Sequence, residues 1–426
     1  FWNGSHIDSF SGHRVNRICP LTTEGLRSAA RPYGHEGARL RLRLAMDRLR
    51  QGYNITIAVL GPSMTLGTQS QRAWPMRLQD LFDRLGLRVQ VRNLAKGGTT
   101  SEWAAAYFRD IRDKLVRSDI VMVDYGINDR INIETKGRRS AGAIQRAHHD
   151  LMKLLITLPN QPGIVDMQTF METPLILARE EEGSLVPTND CSKVDLKTYH
   201  HWPVNKELNV PMLSYTEAVC ASNRTWWMME FKDVESKGSP HPGAITHDLI
   251  ARVALGFVLD EFDHVCREGV TGEDFAGGLE AQLGSHIKCL MEPTTTLNTS
   301  LGQASFAATS DDRAWFFGED VPGKPQGWIT GMRSQLPGDL SFKVQTRTGW
   351  IQVEYLGTYQ KIGYVDMWLD DMVPSEVNHC QLDGLWDDHT SQSKFSLLKT
   401  DVAPGTHTLK IHSHGLKFKL MGITTC

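Results

Sequence analysis

Three short apolar runs, at 55–60, 89–93 and 120–125, alternate with helical stretches near 75–85, 100–116 and 141–158. No other feature of the chain restricts its fold as strongly. Strands joined by crossover helices pair in parallel, and a parallel sheet must be covered on both faces. The run Ile-Thr-Ile-Ala-Val-Leu ending at Leu60 reads as a buried strand. An arginine-rich segment from Glu36 to Arg50 carries Leu40, Leu42, Leu44 and Leu49 at helical spacing and predicts a surface helix. A further strand is expected at 210–214. A helix is expected at 243–262, with Ile245, Leu249, Ile250, Val253 and Phe257 as its apolar stripe. The rest of 159–240 is less regular, and the surroundings of Trp226 and Trp227 read as a loop or insertion.

From about residue 295 the pattern changes. Helical periodicity gives way to alternating runs such as 342–344, 351–355, 364–368, 408–411 and 418–420, punctuated by Gly, Pro and Asp. Period-two alternation with turn residues between the runs predicts an all-β sandwich of jelly-roll type. At 426 residues the chain is long enough for two domains. The expected organisation is an N-terminal extension over 1–35, an α/β domain over 36–290 and a β-sandwich domain over 295–426. Within the sandwich, Trp350 and Trp368 bracket strands and read as core. Trp386 sits in a loop-like stretch, and is the better candidate for stacking on a sugar ring.

Composition excludes some functions. A formal net charge of −3 gives no basic excess for binding nucleic acid. No apolar run approaches the ~18 residues a membrane span requires. None of the seven cysteines forms a CxxC pair, so zinc-ribbon and redox-motif readings have no support, and no metal or cofactor is expected. Wide cysteine spacing suits long-range disulfides in a secreted chain. Sequons at Asn3, Asn54, Asn223 and Asn298 add to an expectation of a secreted or lumenal glycoprotein. The sequence begins at Phe1 rather than Met, as a mature or trimmed product would. Nothing in it sets an oligomeric state.

The chemistry-bearing residues follow the strands. In an open parallel sheet, ligands bind beyond the carboxyl ends of the strands. After the first run comes Gly61-Pro-Ser63-Met-Thr-Leu-Gly67, which puts a serine on a strand-to-helix turn. After the second comes Asn93-Leu-Ala-Lys-Gly-Gly98-Thr-Thr-Ser101, where a glycine lets a backbone N–H approach a ligand closely. After the third comes Gly126-Ile-Asn128-Asp129, which adds a side-chain amide at the same edge. Much later, His241-Pro-Gly-Ala-Ile-Thr-His247 opens a helix. A serine, a histidine to take its proton and donors for a developing oxyanion are the parts of acyl transfer through a covalent intermediate.

Together these four blocks resemble the SGNH (GDSL-type) hydrolase superfamily, over about residues 50–265. The resemblance implies a flavodoxin-like α/β/α fold. It implies Ser63 as nucleophile and oxyanion donor, Gly98 and Asn128 as the other donors, and His241 as base. The implied activity is a serine esterase for acetyl or other short acyl esters, on a small molecule or a glycan. An acyltransferase on the same site, or an inactive domain kept as a glycan-binding module, are the alternatives. Two positions depart from the family pattern. Pro62 replaces the usual Asp of the first block, which leaves the N–H of Ser63 intact. Gly238 stands where the family places an Asp three residues before the histidine, so the group that orients His241 is left to Asp233, Glu235 or a backbone carbonyl.

Overall fold

The computed structural model describes residues 26, 36–67, 72–129, 141–169, 200–220, 241, 244–270, 295–298, 308–310, 313–347, 349–370, 379–386, 391–399 and 402–426. The α/β part runs α1 (Glu36–Arg50), β1 (Ile55–Leu60), α2 (Ser63–Leu66), α3 (Trp74–Leu85), β2 (Val89–Asn93), α4 (Ser101–Ala106), α5 (Phe108–Leu115) and β3 (Ile120–Val123). It continues with α6 (Ala141–Ile156), β4 (Gly163–Gln168), α7 (Trp202–Glu207), β5 (Met212–Ser214), α8 (Tyr215–Cys220) and α9 (Ala244–Glu268).

The five strands form a parallel sheet in the order β2-β1-β3-β4-β5. This is the flavodoxin-like order, whose switch point lies between β1 and β3, where successive connections leave in opposite directions. The central strands β3 and β4 are buried along their whole length, while β2 at the edge is only partly covered. Ile55, Ile57 and Val59 of β1 and Ile120 and Met122 of β3 pack into one core with α1, α3 and α9. Each buried side chain of this kind contributes about 1.5–3 kcal/mol. Leu42, Met46 and Leu49 of α1 belong to that core, so the expected surface helix lays one face on the sheet and leaves Leu44 exposed. Arg43 of α1 is buried too: its Nε donates to Glu261 Oε2 of α9 at 3.0 Å.

Helix prediction over 100–116 missed a break at Tyr107, which separates α4 from α5. It also missed β4, which lies in the stretch read as irregular. A fully buried parallel strand carries no alternation to find.

The second part is a two-sheet all-β sandwich, as expected. One antiparallel sheet has the order β13-β12-β15-β10-β7, and the other β14-β11-β16-β9-β8 with β6 beside β16. The ranges are β6 (Thr295–Asn298), β7 (Ala308–Ser310), β8 (Trp315–Gly318), β9 (Gly327–Thr330), β10 (Gly338–Thr346), β11 (Ile351–Thr358), β12 (Tyr364–Leu369), β13 (His379–Asp383), β14 (Ser391–Lys399), β15 (Gly405–Ser413) and β16 (Phe418–Thr425). Leu340, Phe342, Val365, Met367, Ile411 and Leu420 are among its core residues.

Two tryptophan expectations are reversed. Trp386 is 1% exposed, with the Lys394 ammonium 4.3 Å from its ring centroid, so it is packed rather than displayed. Trp368 falls on the half-open positions of β12, whose burial alternates residue by residue, so it lies on the outer face of its sheet. Trp350 is buried, as expected.

By contacts the chain divides into two units. Phe1–Ser101, Ile111–Glu134 and Arg139–Gln282 form one, and Glu102–Asp110, Thr135–Arg138 and Leu283–Cys426 the other. The short segment Glu102–Asp110 therefore groups with the sandwich, where the Tyr107 ring lies 6.1 Å from that of Phe395. Leu26, from the expected N-terminal extension, is buried in the α/β core. Cys266 and Cys380 are free thiols, and Cys426 is disulfide-bonded. No helix among the described residues is long and apolar enough to cross a membrane.

Candidate functional site

Ser63 is the first residue of the four-residue helix α2, which follows β1 directly. Pro62 before it is extended (φ −88°, ψ −154°), and Gly67 ends the turn in the left-handed region, its N–H donating to Ser63 O at 3.0 Å. Gly61 is required by space: a Cβ there would sit 2.1 Å from Thr65 Oγ1. Thr65 Oγ1 donates to Asp124 Oδ2 at 2.6 Å, which ties α2 to the end of β3. Asp124 also accepts from Thr169 Oγ1 at 2.7 Å and from Trp74 Nε1 at 3.3 Å. Burial raises Asp124 to about 6 against the pull of these three donors.

The Ser63 hydroxyl meets its partner across the sheet edge. His241 Nε2 lies 2.7 Å from Ser63 Oγ, though 178 residues separate them in sequence. The helix expected over 243–262 runs from Ala244 to Glu268, so His241 precedes α9. His247, in the first turns of α9, accepts the Trp74 backbone N–H at Nδ1, 3.2 Å. Burial, then the charges of Arg77 and His241, hold it near 3, so it is neutral. Asp233, Glu235 and Gly238 lie outside the described residues.

The loop after β2 lies beside the serine: a Cβ on Gly97 would be 3.8 Å from Ser63 Cβ. Asn93 pins that loop, its Nδ2 donating to Thr65 O at 3.0 Å and its Oδ1 accepting from Ala95 N at 3.0 Å. Gly98 has φ +74°, a conformation that costs a side-chain-bearing residue roughly 1–2 kcal/mol. The buried Asn128 turns its Nδ2 toward the same loop and donates to Thr99 O at 2.8 Å. The structure thus joins Ser63 to His241 directly, and joins Asn128 to the loop that carries Gly98.

Behind Asn128 stands a charged cluster that the sequence reading did not single out. Asp129 Oδ1 accepts the Ser101 N–H at 2.9 Å, and Asp129 Oδ2 accepts Ser101 Oγ–H at 2.5 Å and His201 Nε2–H at 2.9 Å. His201 Nδ1 faces Asp166 Oδ2 at 3.2 Å, and Asn205 Nδ2 donates to the same oxygen at 2.6 Å. His148 stacks on His201 with ring centroids 3.6 Å apart and planes 9° from parallel, and its Nε2 reaches Asn205 Oδ1 at 2.9 Å. All of these side chains are buried.

Burial alone would favour neutral His201. The Asp166 charge and the hydrogen bonds to Asp129 and Asp166 outweigh it and raise the imidazole to about 10, so the ring is a cation. Burial works against Asp166 as well, but the His201 and His148 interactions leave its carboxyl below the usual carboxylate range. His148 is lowered to about 4 by burial and then by the His201 charge, so it is neutral.

Asp129, His148 and His201 bring ligand-type atoms within 4.8 Å of one another. Two imidazoles share a metal ion only where their ring planes meet at it, because the nitrogen lone pairs lie in those planes. Parallel stacked rings do not meet that condition. The cluster's geometry is that of a hydrogen-bonded ion network.

Crystal structures of a two-domain esterase (CEX) active on acetylated mannans superpose on this chain. One matches with a TM-score of 0.60 and 14% identity over 95% of this chain and 98% of that one. Another, co-crystallised with mannopentaose, matches with a TM-score of 0.59 and 14% identity over 91% and 95%. The chain shares the fold of a two-domain esterase. An acetyl xylan esterase, AlAXEase, matches with a TM-score of 0.36 and 13% identity over 47% of this chain and 98% of that one. No family model and no curated protein matches the sequence.

The two-domain likeness agrees with the α/β unit and β-sandwich read from the sequence. His148, Asp166, His201 and Asn205 escaped that reading because they sit on α6, on β4 and at the start of α7, at unrelated spacings. The only local signal was His200-His201-Trp-Pro at the start of a helix, which reads equally well as a cap.

Proposed function

We propose that the chain is a serine ester hydrolase that removes acetyl or other short acyl groups, with acylated carbohydrate as its substrate class. The observation that carries this reading is the 2.7 Å contact between Ser63 Oγ and His241 Nε2 at the carboxyl edge of the sheet. In the reaction, Ser63 Oγ attacks the ester carbonyl carbon while its proton passes to His241 Nε2. The backbone N–H groups of Ser63 and Gly98 and the Asn128 amide hold the oxyanion of the tetrahedral intermediate, each donor contributing roughly 3–4 kcal/mol. His241 returns the proton to the departing alkoxide, which leaves an acyl-serine. Water then attacks the acyl carbon as His241 takes its proton, and collapse of the second tetrahedral intermediate breaks the bond to Ser63 Oγ, which regains a proton from His241 as the acid leaves.

The carbohydrate part of the reading rests on the shared fold with an esterase active on acetylated mannans. A secreted site of action fits such a polymer, as do the sequons; Asn54, just before β1, is exposed. The domain boundaries proposed from sequence, 36–290 and 295–426, stand beside this as the working division of catalytic and accessory parts.

Hydrolysis of p-nitrophenyl acetate and acetate release from acetylated mannan test the proposal, with Ser63→Ala as control and EDTA as a second arm. Turnover is expected in the wild type, to survive EDTA, and to fall by roughly 10³-fold or more in Ser63→Ala. Full activity in Ser63→Ala overturns the assignment.

A further inference from the structure

We propose that His201 is a positioning residue for the oxyanion hole: from behind Asp129 it holds the loop carrying Gly98 and the turn carrying Asn128 in the arrangement a tetrahedral intermediate needs. This inference rests on the serine-hydrolase reading above and extends it to residues outside the four sequence blocks.

The two loops that supply the donors are stapled at two places. Asn128 Nδ2 reaches Thr99 O at 2.8 Å, next to Gly98 in sequence. One residue on from Asn128 and two on from Thr99, the Asp129 carboxylate takes both the N–H and the hydroxyl of Ser101, at 2.9 and 2.5 Å. The second staple determines where Asn128 stands, because Asn128 and Asp129 are consecutive. It is only as rigid as Asp129 itself, and behind Asp129 there is no solvent to hold it. His201 occupies that side, 2% exposed, with Nε2 at 2.9 Å from the same oxygen that accepts the Ser101 hydroxyl.

His201 is itself held from three directions. Asp166 Oδ2 faces its Nδ1 at 3.2 Å and accepts from Asn205 Nδ2 and Gln168 Nε2 at 2.6 and 2.9 Å, and Gln168 Nε2 lies 3.0 Å from the same ring nitrogen. His148 lies flat against the ring and is anchored by Asn205. The chain of contacts therefore runs from β4 and α7 through His201 to Asp129, and ends on both donor loops. An imidazolium between two carboxylates gives charge-assisted bonds, stronger and straighter than neutral ones. A donor displaced by about 1 Å from a developing charge loses on the order of 10²-fold in rate.

The test compares wild type, Ser63→Ala, His201→Ala and His201→Gln on p-nitrophenyl acetate, with folding checked by near-ultraviolet circular dichroism. His201→Ala is expected to lower kcat by roughly 100-fold while KM stays within about threefold, because the hole acts on charge that forms after binding. His201→Gln, which keeps a donor toward Asp129, is expected to recover about tenfold of that loss. In an Asp129→Asn background, His201→Ala is expected to add little, since the two act through one link.

A KM rise with kcat unchanged in His201→Ala, or full additivity with Asp129→Asn, overturns the inference while the esterase reading stands. Turnover that does not depend on Ser63 overturns both. Should His201→Ala fail to fold, Asp166→Asn carries the same test one link further out. A roughly tenfold loss confined to kcat is then expected, and wild-type kcat refutes the proposal.

Discussion

The α/β unit and the sandwich both pair histidines with aspartates, and the pairs do different work because they differ in burial. In the α/β unit, His201 lies between Asp129 and Asp166 with 2%, 5% and 0% of the respective side chains exposed. On the outer face of the sandwich, Asp366 takes His414 Nε2 at 2.7 Å and His379 Nε2 at 3.0 Å, and His412 meets Asp339 at 2.7 Å. These partners are partly or mostly open to water. Distances are similar in the two places. Water screens the outer set, and its members keep most of their hydration whether or not they pair. The inner set was stripped of water on folding, so each member is stable only while its partners remain. Equal geometry therefore gives a rigid scaffold in one place and a solvated polar surface in the other.

The largest expected difference is in stability. Asp166→Ala leaves the His201 cation buried with one partner fewer and should lower the unfolding free energy by about 3–5 kcal/mol. Asp366→Ala should cost about 1 kcal/mol or less, although it removes contacts to two histidines. Urea unfolding of the two variants against wild type measures both. Equal losses would erase the distinction drawn here.

Next in size is the pH dependence of stability. His148 and His247 are held neutral, near 4 and near 3, whereas an unfolded chain protonates them near 6.5. Between those values the unfolded state binds more protons, so stability falls as pH falls below about 6.5. Asp124, raised to about 6, opposes this between its folded value and its unfolded one, since there the native state binds the extra proton. His201 acts on the alkaline side: its stabilisation is complete below its unfolded value and is lost as pH rises toward about 10. Stability should therefore peak near neutral pH and fall on both sides. His148→Asn should flatten the acid limb, by about 3 kcal/mol between pH 7 and pH 4. An acid limb unchanged in that variant would show that His148 titrates normally.

The smallest effect belongs to the sandwich. The hydrogen bond to Asp370 Oδ2, at 2.9 Å, is the chief cause that raises His407 above its ordinary value. Its imidazole resonances should titrate above the usual histidine value in wild type and return toward it in Asp370→Asn. Any stability it contributes should be present at acid pH, lost as pH rises through the folded value, and weakened by salt. A shift that survives Asp370→Asn would mean that another group causes it.

Local pattern made the scaffold legible. The strands at 55–60 and 89–93 and the helix at 36–50 coincide with the observed elements, because apolar run length and period report directly on how a segment is buried. The same pattern placed the ends of β1, β2 and β3 at one edge, and with them Ser63, Gly98 and Asn128. It failed where burial is set from far away. β4 has no period to read. Trp386 looks like loop by its neighbours and is enclosed by other strands. Trp368 sits in a convincing strand, but on its wet face.

What the sequence determined by itself is the alternation that forces a parallel sheet, the change to a β-sandwich near residue 295, and the four blocks whose residue types suit acyl transfer. Those are local properties, expressed within a few residues. Only the tertiary structure brought His241 to within 2.7 Å of Ser63, buried Trp386, and gathered Asp129, His148, Asp166 and His201 from four separate segments into one ion network. A side chain's partners and its charge state depend on what excludes water from it, and in this molecule those groups come from segments tens of residues away.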